Sequence, residues 1–250
     1  KKGIQVLTQR KANAIQGNGK VEYVELDNGE RLKADVVVLG IGVRPNAEMP
    51  REAGLAIGPT GNVAVDRHMM TSDPNIFAAG DCAEKVSFFT GKPSRAWLAS
   101  VATAEARIAG ANLFEIRRAS KGSISVFSTK IGDLACGLAG IGEKSALEAG
   151  IAYVVGEAEA ADKHPGSLPG AKSTRVKLIF RKYSETLIGG QACGGDEVGE
   201  MVNLIATMIQ TEMTADEIAT FQMGTHPLLT ASPVAYQLVN AAEMALVKMR

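Results

Sequence analysis

Asp81 is the residue whose type and position most clearly suggest chemistry. It follows Gly80 at the end of residues 71–81, TSDPNIFAAGD. Residues 73–75 predict a turn, and the apolar run 76–79 predicts a short buried strand. An acid at the carboxyl end of such a strand lies where open α/β sheets bind ligands, and its carboxylate can accept hydrogen bonds from sugar hydroxyls. This pattern predicts a polyol ligand, with a solvated strand-end aspartate as the alternative.

The composition is that of a globular protein. The 250 residues suffice for one large or two modest domains, and 46% of them are hydrophobic. Lysine plus arginine and aspartate plus glutamate each total 27, so the formal net charge is zero. This balance gives no electrostatic basis for binding nucleic acid or a membrane surface, so the expected partner is a small molecule or a protein.

The three cysteines are Cys82, Cys136 and Cys193. No CxxC pair and no secretory or membrane-spanning segment is evident, which predicts a cytoplasmic protein. The cysteines are predicted to be packed thiols rather than nucleophiles. The methionines of the segment 198–209 follow a helical apolar face, so they are expected in the core, and no metal site is predicted.

The first fifty residues predict a small β-meander. Strands are expected at 4–7 and 21–26, and the second leads into a turn at 27–29. Residues 35–40 form an almost continuous apolar run, which predicts a strand buried on both faces. Such a meander is a poor domain by itself, because no helix is available to cover its strands.

The next long element is a helix predicted from Leu98 to Leu113. It carries a narrow apolar stripe suited to packing on a sheet. The stripe consists mainly of Leu98, Val101, Ala102, Ala109 and Leu113, with Ile108 beside it.

A domain boundary is placed near residues 119–121, where the character of the sequence changes. Beyond it the pattern predicts a mixed sheet with a short helix, Glu143 to Ala149, capped by Gly142. Two helices are expected to cover the sheet, one along 198–209 and one that starts at the capping box of Thr214 and Glu217. The strands are predicted near 124–128, 134–140, 153–157, 174–180 and 186–192.

The string TSDPNIFAAGDCAE resembles the second flavin motif of the FAD-dependent pyridine nucleotide–disulfide oxidoreductases. The resemblance implies that Asp81 holds the ribityl chain of FAD. It also implies that the residues leading to Asp81 line the cofactor, namely Phe77, Ala78, Ala79 and Gly80.

The string LASVATAEARIAGANL resembles a helix of the same family whose N-terminal amides point at the pyrimidine edge of the isoalloxazine. Such a helix start favours the negative charge of the reduced flavin. The resemblance implies that Leu98, Ala99 and Ser100 contact FAD, the latter two through their backbone, and that Thr103 faces the substrate channel. An ordinary amphipathic helix is the alternative.

The string VVVLGIGVRPN, residues 36–46, resembles the end of the NAD(P)H-binding domain of this family. The resemblance places Gly42 near the nicotinamide, while a glycine-rich crossover linker is the alternative. A GxGxxG fingerprint is not evident: residues 17–22 lack the third glycine, and residues 140–145 end in serine. In the family, two fingerprints and the redox cysteine precede the matching region, so the chain is expected to be the C-terminal part of a longer protein.

Residues from about 121 onward resemble the dimerisation domain of the NADH oxidase, NADH peroxidase and coenzyme A–disulfide reductase branch. The loop HPGSLPGAK and the strand LIGGQACGG carry this resemblance. Coenzyme A–disulfide reductases have tyrosines in that loop and before the later proline-containing motif. This chain instead has Ser167-Leu168 in the loop and Gly224-Thr225 before His226, so both hydroxyphenyl groups are missing.

His226-Pro227 resembles the His-Pro pair in which the histidine acts as an acid or base beside the flavin. Histidine suits that role because its ordinary pKa of about 6.5 allows either protonation state near neutrality. The glutamate that supports this histidine in glutathione reductase-like members has no counterpart in residues 228–231. A histidine that closes a loop before a helix is the alternative.

A helix from Pro233 is predicted to need a partner, because it is apolar around much of its circumference. Val234, Leu238, Ala241 and Ala245 occupy one face, and further apolar residues lie around the side. We therefore expect a homodimer whose interface lies in residues 121–250, in which the His226 loop reaches the opposite flavin, as it does in the family.

These observations predict an α/β plus α+β fold. Residues 1–46 are expected to end an NAD(P)H-binding domain, residues 47–118 to end an FAD-binding domain, and residues 119–250 to form an α+β dimerisation domain. The chain is predicted to be the C-terminal part of a flavoprotein oxidoreductase. The whole enzyme would pass hydride from NAD(P)H through FAD to a small-molecule acceptor, namely a disulfide, a sulfenate or oxygen, and this part would complete the flavin site and form the dimer. The alternative is a non-catalytic dimerisation module with a vestigial flavin motif.

Overall fold

The computed structural model describes residues 3–250, which form two compact units, one ending at residue 44 and one spanning 45–250. Residues 1 and 2, the start of the predicted NAD(P)H-binding part, lie outside the described residues. Each unit has its own contacts and is described separately. The predicted division at residues 118 and 119 stays a prediction.

The first unit is a three-stranded antiparallel sheet. Its strands are β1 (Ala12–Gln16), β2 (Tyr23–Leu26) and β3 (Arg31–Lys33), in the order β1-β2-β3. The predicted turn at 27–29 connects β2 to β3, and its glycine has a φ of +81°, which a residue with a side chain rarely adopts. The predicted strand within 21–26 and the turn that follows it are confirmed, and together with β3 they form a hairpin.

Two strand predictions in the first unit are wrong. Residues 4–7 form no strand, and the apolar run 35–40 pairs with no other segment among residues 3–250. Val36 is 77% exposed and Val38 is 89% exposed, so this run is open rather than buried on both faces. A doubly buried strand requires neighbouring strands and covering helices, and the described part of this unit contains no helix.

The second unit begins with α1 (Glu48–Glu52), and a 3-10 turn then occupies Gly80–Cys82. The short hairpin β4 (Lys85–Val86) and β5 (Pro93–Ser94) follows. The predicted turn at 73–75 is present, but the predicted strand at 76–79 is wrong. Only Phe77 makes a β-bridge there, with Met70, and no ladder extends from this single pair.

The long helix of this part is α2 (Ala99–Asn112), close to its predicted bounds. Its buried residues are Glu105, Ala109 and Asn112, whereas Leu113 is 55% exposed. The predicted apolar stripe is therefore only partly correct. Polar side chains take up part of the buried face because they bind backbone groups of neighbouring loops, as Asn112 does with His68 O at 3.1 Å.

Residues 119–250, called the sheet domain below, contain five strands in the order β6-β7-β10-β9-β8. All four pairings are antiparallel, so the predicted mixed sheet is wrong. Three of the pairings join strands that follow each other along the chain, and such connections give antiparallel neighbours. The strands are β6 (Val126–Ile131), β7 (Leu134–Gly140), β8 (Tyr153–Ala161), β9 (Ser173–Arg181) and β10 (Leu187–Gly194).

Helices α4 (Val198–Gln210), α5 (Ala215–Thr220) and α6 (Gln237–Met249) bury apolar side chains in the core of the sheet domain, and the short α3 (Glu143–Glu148) packs in a smaller cluster with β9 and β10. The stripe predicted along 198–209 is confirmed, since its residues lie in the core. The predicted capping box is confirmed as well: Thr214 N–H donates to Glu217 Oε2 at 2.8 Å, and Glu217 N–H donates to Thr214 Oγ1 at 3.3 Å.

The packing of α6 contradicts the prediction that this helix needs a second partner to cover its apolar face. Leu238, Ala241 and Ala245 are fully buried in the core of their own domain, against β8. The helix comes so close that a Cβ at Gly156 of β8 would lie 1.8 Å from Ala241 O. Val234, just before α6, points away from the core and is 86% exposed.

Cys136 and Cys193 face each other on β7 and β10 and form a disulfide. The prediction of packed thiols is therefore wrong for these two residues, because the strand register brings together cysteines that are 57 residues apart. Cys82 is free and half-buried, as predicted. No helix within residues 3–250 has the length and apolar character that crossing a bilayer requires.

Candidate functional site

Asp81 occupies the 3-10 turn Gly80–Cys82 and is exposed. Gly80 has a φ of +81°, which an L side chain would strain. A Cβ at Gly80 would lie 3.7 Å from Ala102 Cβ, so this turn packs directly against α2. None of the described residues makes a hydrogen bond to the Asp81 carboxylate, so both of its oxygens remain available to a ligand.

Three buried side chains hold the backbone of this turn. Asn62 Nδ2 donates to Asp81 O at 2.5 Å. Glu105 Oε2 accepts the Gly80 N–H at 2.9 Å. Lys85 Nζ donates to Gly80 O, and it lies 2.7 Å from Glu105 Oε2. The turn is therefore fixed by polar contacts from beneath, while the carboxylate of Asp81 faces outward.

Sequence reasoning missed all three of these supporting residues. Lys85 lies on the two-residue strand β4, which no apolar pattern marks, and Asn62 has no motif around it. Glu105 did leave a signal, because it lies one helical turn from both Val101 and Ala109 on the inward face of α2. A charged residue in the middle of such a face indicates a buried partner.

The N-terminus of α2 is open. Leu98, the residue before the helix, has an extended backbone, and no side chain caps the first turn. The first amides of a helix have no partner inside the helix, so those of Ala99 and Ser100 can donate to a ligand, and the helix dipole favours negative charge there. Thr103 Oγ1 donates to Ala99 O at 2.9 Å, so this hydroxyl hydrogen is already bonded within the helix.

A cavity of about 350 Å³ adjoins the first two turns of α2. Ser100 and Ala104 line it from α2, and Asn203 and Thr207 line it from α4. The exposed side of Ser100 is thus part of a concave surface that the sheet domain shares.

The segment before the turn is half-buried from Phe77 to Ala79. Ala78 N–H donates to Met69 O at 3.1 Å, which ties this extended segment to the preceding loop. Gly42, the glycine expected near the nicotinamide, lies in the first unit with a φ of +91°. Its role there stays a prediction.

His226 is exposed, and its ring is oriented by the backbone rather than by a carboxylate. Leu228 N–H donates to His226 Nδ1 at 3.2 Å, and His226 N–H donates to Thr230 Oγ1 at 3.1 Å. When Nδ1 accepts a hydrogen bond, the neutral ring carries its proton on Nε2. His164 N–H donates to Pro227 O at 2.9 Å, so the two loops singled out in the sequence contact each other.

The structure thus brings together two of the predicted site elements, the Asp81 turn and α2. No hydrogen bond among the described residues connects His226 to that turn. The catalytic role of His226 therefore stays a prediction.

Two family models match this chain. The model described as "Pyridine nucleotide-disulphide oxidoreductase" matches residues 1–106. The model described as "Pyridine nucleotide-disulphide oxidoreductase, dimerisation domain" matches residues 126–235. Together they include the Asp81 turn, the first half of α2, and all five strands of the sheet domain.

The names of similar proteins also describe oxidoreductases that use NAD(H) or NADP(H). An NADH oxidase of Methanocaldococcus jannaschii is 33% identical over 100% of this chain and 54% of its own length. A CoA-dependent NAD(P)H sulfur oxidoreductase of Pyrococcus furiosus is 32% identical over 83% of this chain and 46% of its own length. The solved structure of an NAD-dependent persulfide reductase from A. fulgidus superposes with a TM-score of 0.91 at 35% identity, covering 98% of this chain and 45% of that chain. The chain spans about half the length of the relatives it matches.

Proposed function

Because this chain belongs to the pyridine nucleotide–disulphide oxidoreductase family, a family of flavoprotein NAD(P)H oxidoreductases, we propose that it is the C-terminal part of an FAD-dependent enzyme. Its relatives are roughly twice as long, which supports a longer protein. The exposed apolar run 36–43 also supports it, because a run of this kind is normally covered in a folded protein.

The observation that carries the proposal is the pairing of a free carboxylate with an open helix N-terminus. The Asp81 carboxylate can accept hydrogen bonds from hydroxyl groups, and the first amides of α2 can donate to an electron-rich edge. FAD presents both features, since its ribityl chain carries hydroxyls and its ring carries a pyrimidine edge. The donor and acceptor groups at this site therefore fit FAD.

When bound, FAD would supply the redox chemistry, taking hydride from NAD(P)H and passing electrons to a disulfide, a sulfenate or oxygen. The residues of this chain bind and orient. Asp81 holds the hydroxyls of the cofactor, and Gly80 lets the backbone come close. The amides of Ala99 and Ser100 favour negative charge at the edge they face.

His226 is the proposed acid or base near the acceptor. In its neutral form the ring carries a proton on Nε2, because Nδ1 accepts the Leu228 N–H. In that form the Nε2–H donates a hydrogen bond to an acceptor atom, whereas transfer of a proton requires the imidazolium form, in which Nδ1 also carries a proton and no longer accepts the Leu228 N–H. The names of the relatives, an NADH oxidase and an NAD(P)H sulfur oxidoreductase, fit the proposed acceptor classes of oxygen and sulfur compounds.

We also propose a homodimer through residues 121–250, which would bury on the order of 2,000 Å². The dimerisation model over 126–235 supports this assembly, and so do the exposed apolar side chains of the C-terminal segment, Leu229 at 71% and Val234 at 86%. Sedimentation equilibrium of the whole protein tests it. We expect Leu229→Arg to weaken the dimer, and Leu147→Arg, which replaces an equally exposed leucine on α3, to leave it intact. A wild-type monomer mass at micromolar concentration contradicts the proposal.

The test of the main proposal is purification of the whole protein with its flavin. We expect about one FAD per chain and bleaching of the flavin absorption by NADH or NADPH under anaerobic conditions. The 250 residues alone are expected not to oxidise NAD(P)H faster than free FAD does. A whole protein that takes up no FAD on reconstitution would favour the alternative, a non-catalytic dimerisation module.

A further inference from the structure

The Gly80–Cys82 turn is supported by a buried ion pair. The side chains of Lys85 and Glu105 are 0% and 8% exposed, and their Nζ and Oε2 atoms lie 2.7 Å apart. Burying such a pair costs desolvation energy that the mutual attraction often fails to recover. Stabilisation of the fold is therefore a weak explanation for this ion pair. Its hydrogen bonds indicate a second role, which is to fix the backbone of the turn.

Every donor of the Lys85 ammonium group has an acceptor. An ammonium group offers three N–H donors. One is directed to Glu105 Oε2, one to Ala83 O at 3.0 Å, and one to Gly80 O. Two of the three acceptors are carbonyls of the segment that carries Asp81, so this lysine organises the backbone on both sides of that residue.

Glu105 connects this segment to α2. Its Oε2 accepts the Gly80 N–H at 2.9 Å, so Gly80 is fixed through its N–H by Glu105 and through its C=O by Lys85. Glu105 lies in the second turn of α2, whose first amides are proposed to face the flavin. One carboxylate thus ties together the two elements that are proposed to bind opposite parts of the same cofactor.

We infer that Lys85 and Glu105 are positioning residues of the cofactor site, which set the place of the Asp81 carboxylate relative to the N-terminus of α2. The inference rests on the proposed FAD site and adds to it the residues that give the site its geometry. Lys85 and Glu105 do not touch the ligand, because they lie beneath the turn and act through Gly80. A ligand held at two points binds well only when the two points have the right spacing.

The double substitution Lys85→Met/Glu105→Met in the whole protein separates positioning from structural support. Apolar replacements of similar volume for a buried ion pair are often neutral or stabilising. We therefore expect a folded protein by circular dichroism and by urea unfolding. Because Gly80 loses both supporting bonds, the FAD dissociation constant is expected to rise at least about tenfold, the order of effect typical of lost charged hydrogen bonds, and the visible circular dichroism of bound flavin is expected to change.

A folded double variant with the wild-type dissociation constant and the wild-type flavin spectrum overturns the inference. If the double variant does not fold, Glu105→Gln decides: the side chain keeps its size, but a neutral amide oxygen holds the Gly80 N–H and the Lys85 ammonium group more weakly than the carboxylate does, because hydrogen bonds to a charged acceptor are roughly twice as strong. We expect this single variant to fold, to change the flavin spectrum and to bind FAD more weakly than the wild type. Unchanged binding and an unchanged spectrum in Glu105→Gln overturn the inference equally.

The control is Lys177→Met/Glu143→Met in the sheet domain, which removes an ion pair with the same 2.7 Å separation together with the 3.3 Å contact between Lys177 and Glu157. We expect no change in FAD affinity or flavin spectrum. Asp81→Ala distinguishes a failure of the inference about Lys85 and Glu105 from a failure of the proposed FAD site. If Asp81→Ala loses FAD while both ion-pair variants bind it normally, only the inference fails. If neither the wild type nor any variant binds FAD, the proposed function fails and the inference fails with it.

Discussion

Two regions of the second unit bury large side chains by opposite means. Beneath the Asp81 turn the buried side chains are Asn62, Lys85 and Glu105, which are polar or charged. In the core of the sheet domain most of them are apolar, as in Phe180 and Leu238, both 0% exposed, with Gln237 as a polar exception. Apolar burial is non-directional and scales with area, whereas a hydrogen bond depends on distance and angle. The difference indicates that burial in the sheet domain mainly stabilises the fold, whereas the buried polar side chains beneath the turn mainly fix the positions of a few backbone atoms.

The largest effect should come from putting a charge into the apolar core. Leu238→Arg buries an unpaired guanidinium beneath α6, which we expect to cost about 3–5 kcal/mol and to unfold the sheet domain. Val247→Arg, at a site on α6 that is 64% exposed, is the control and should change stability by less than about 0.5 kcal/mol. Urea unfolding measures both. A stable Leu238→Arg protein that merely dissociates would instead place this face of α6 in the dimer interface.

The second effect should be specific to the turn. Asp81→Ala removes a charged acceptor, which is worth about 1.5–3 kcal/mol in binding, so FAD retention should fall at least about tenfold. The stability of the apoprotein should stay unchanged, because the carboxylate bonds to none of the described residues. Asp133→Ala, at an exposed position between β6 and β7, should leave FAD retention as it is. Equal flavin occupancy in Asp81→Ala and the wild type would show that Asp81 does not bind the flavin.

A third experiment introduces the same backbone strain into the Asp81 turn and into the sheet domain. Gly80 and Gly150 have φ values of +81° and +69°, so alanine at either position should cost roughly 1–2 kcal/mol of conformational energy. Gly150→Ala should lower only the unfolding free energy, since it lies at the end of α3 with open space around it. Gly80→Ala should also weaken FAD binding. Equal FAD affinity in the two variants would mean that the backbone of the turn does not control the site.

The smallest effect should come from a surface ion pair of the sheet. The hydrogen bond from Arg175 lowers the pKa of the Glu157 carboxyl below its ordinary value. The pair therefore stabilises the fold above the ordinary glutamate pKa of about 4.3, and this contribution disappears as pH falls through the lowered value. Glu157→Gln should cost less than about 1 kcal/mol near neutral pH, because the pair is solvated, and nothing in acid.

Urea unfolding at both pH values checks this prediction, and FAD affinity should not change. A loss of stability that persists unchanged in acid would show that the Glu157→Gln substitution disturbs packing rather than the ion pair.

The same contrast explains what the sequence could predict. Strand β7 (Leu134–Gly140) matches its predicted bounds, and the apolar stripe of α4 and the capping box at Thr214 are also present as predicted. Each depends on residues close together in the chain, whose periodicity or spacing is visible locally. The pairing of β7 with β10, and with it the pairing of Cys136 with Cys193, depends on register between distant segments, and local patterns carry no such information.

The site was predictable only in its outward part. Gly80 and Asp81 stand together in a recognisable string, and so do the first residues of α2. Lys85 donates to the backbone of Ala83 and to the side chain of Glu105, which is twenty residues away in the sequence. The charged side chains of Lys85 and Glu105 are buried at positions where periodicity predicts apolar or exposed side chains. The apolar run 35–40 was predicted as buried from its composition, but burial requires neighbours that the described first unit does not contain.

The order of the sheet also bears on how the domain folds. The β8–β9–β10 meander and the β6–β7 hairpin consist of local pairings, and only β7–β10 joins strands that are far apart in sequence. When Cys136 and Cys193 are reduced, closing that long loop costs chain entropy before any contact compensates for it, so we expect it in the rate-limiting step of the reduced chain. Removing side-chain contacts between β7 and β10 should then slow refolding, whereas equal losses in β8–β9 should mainly speed unfolding.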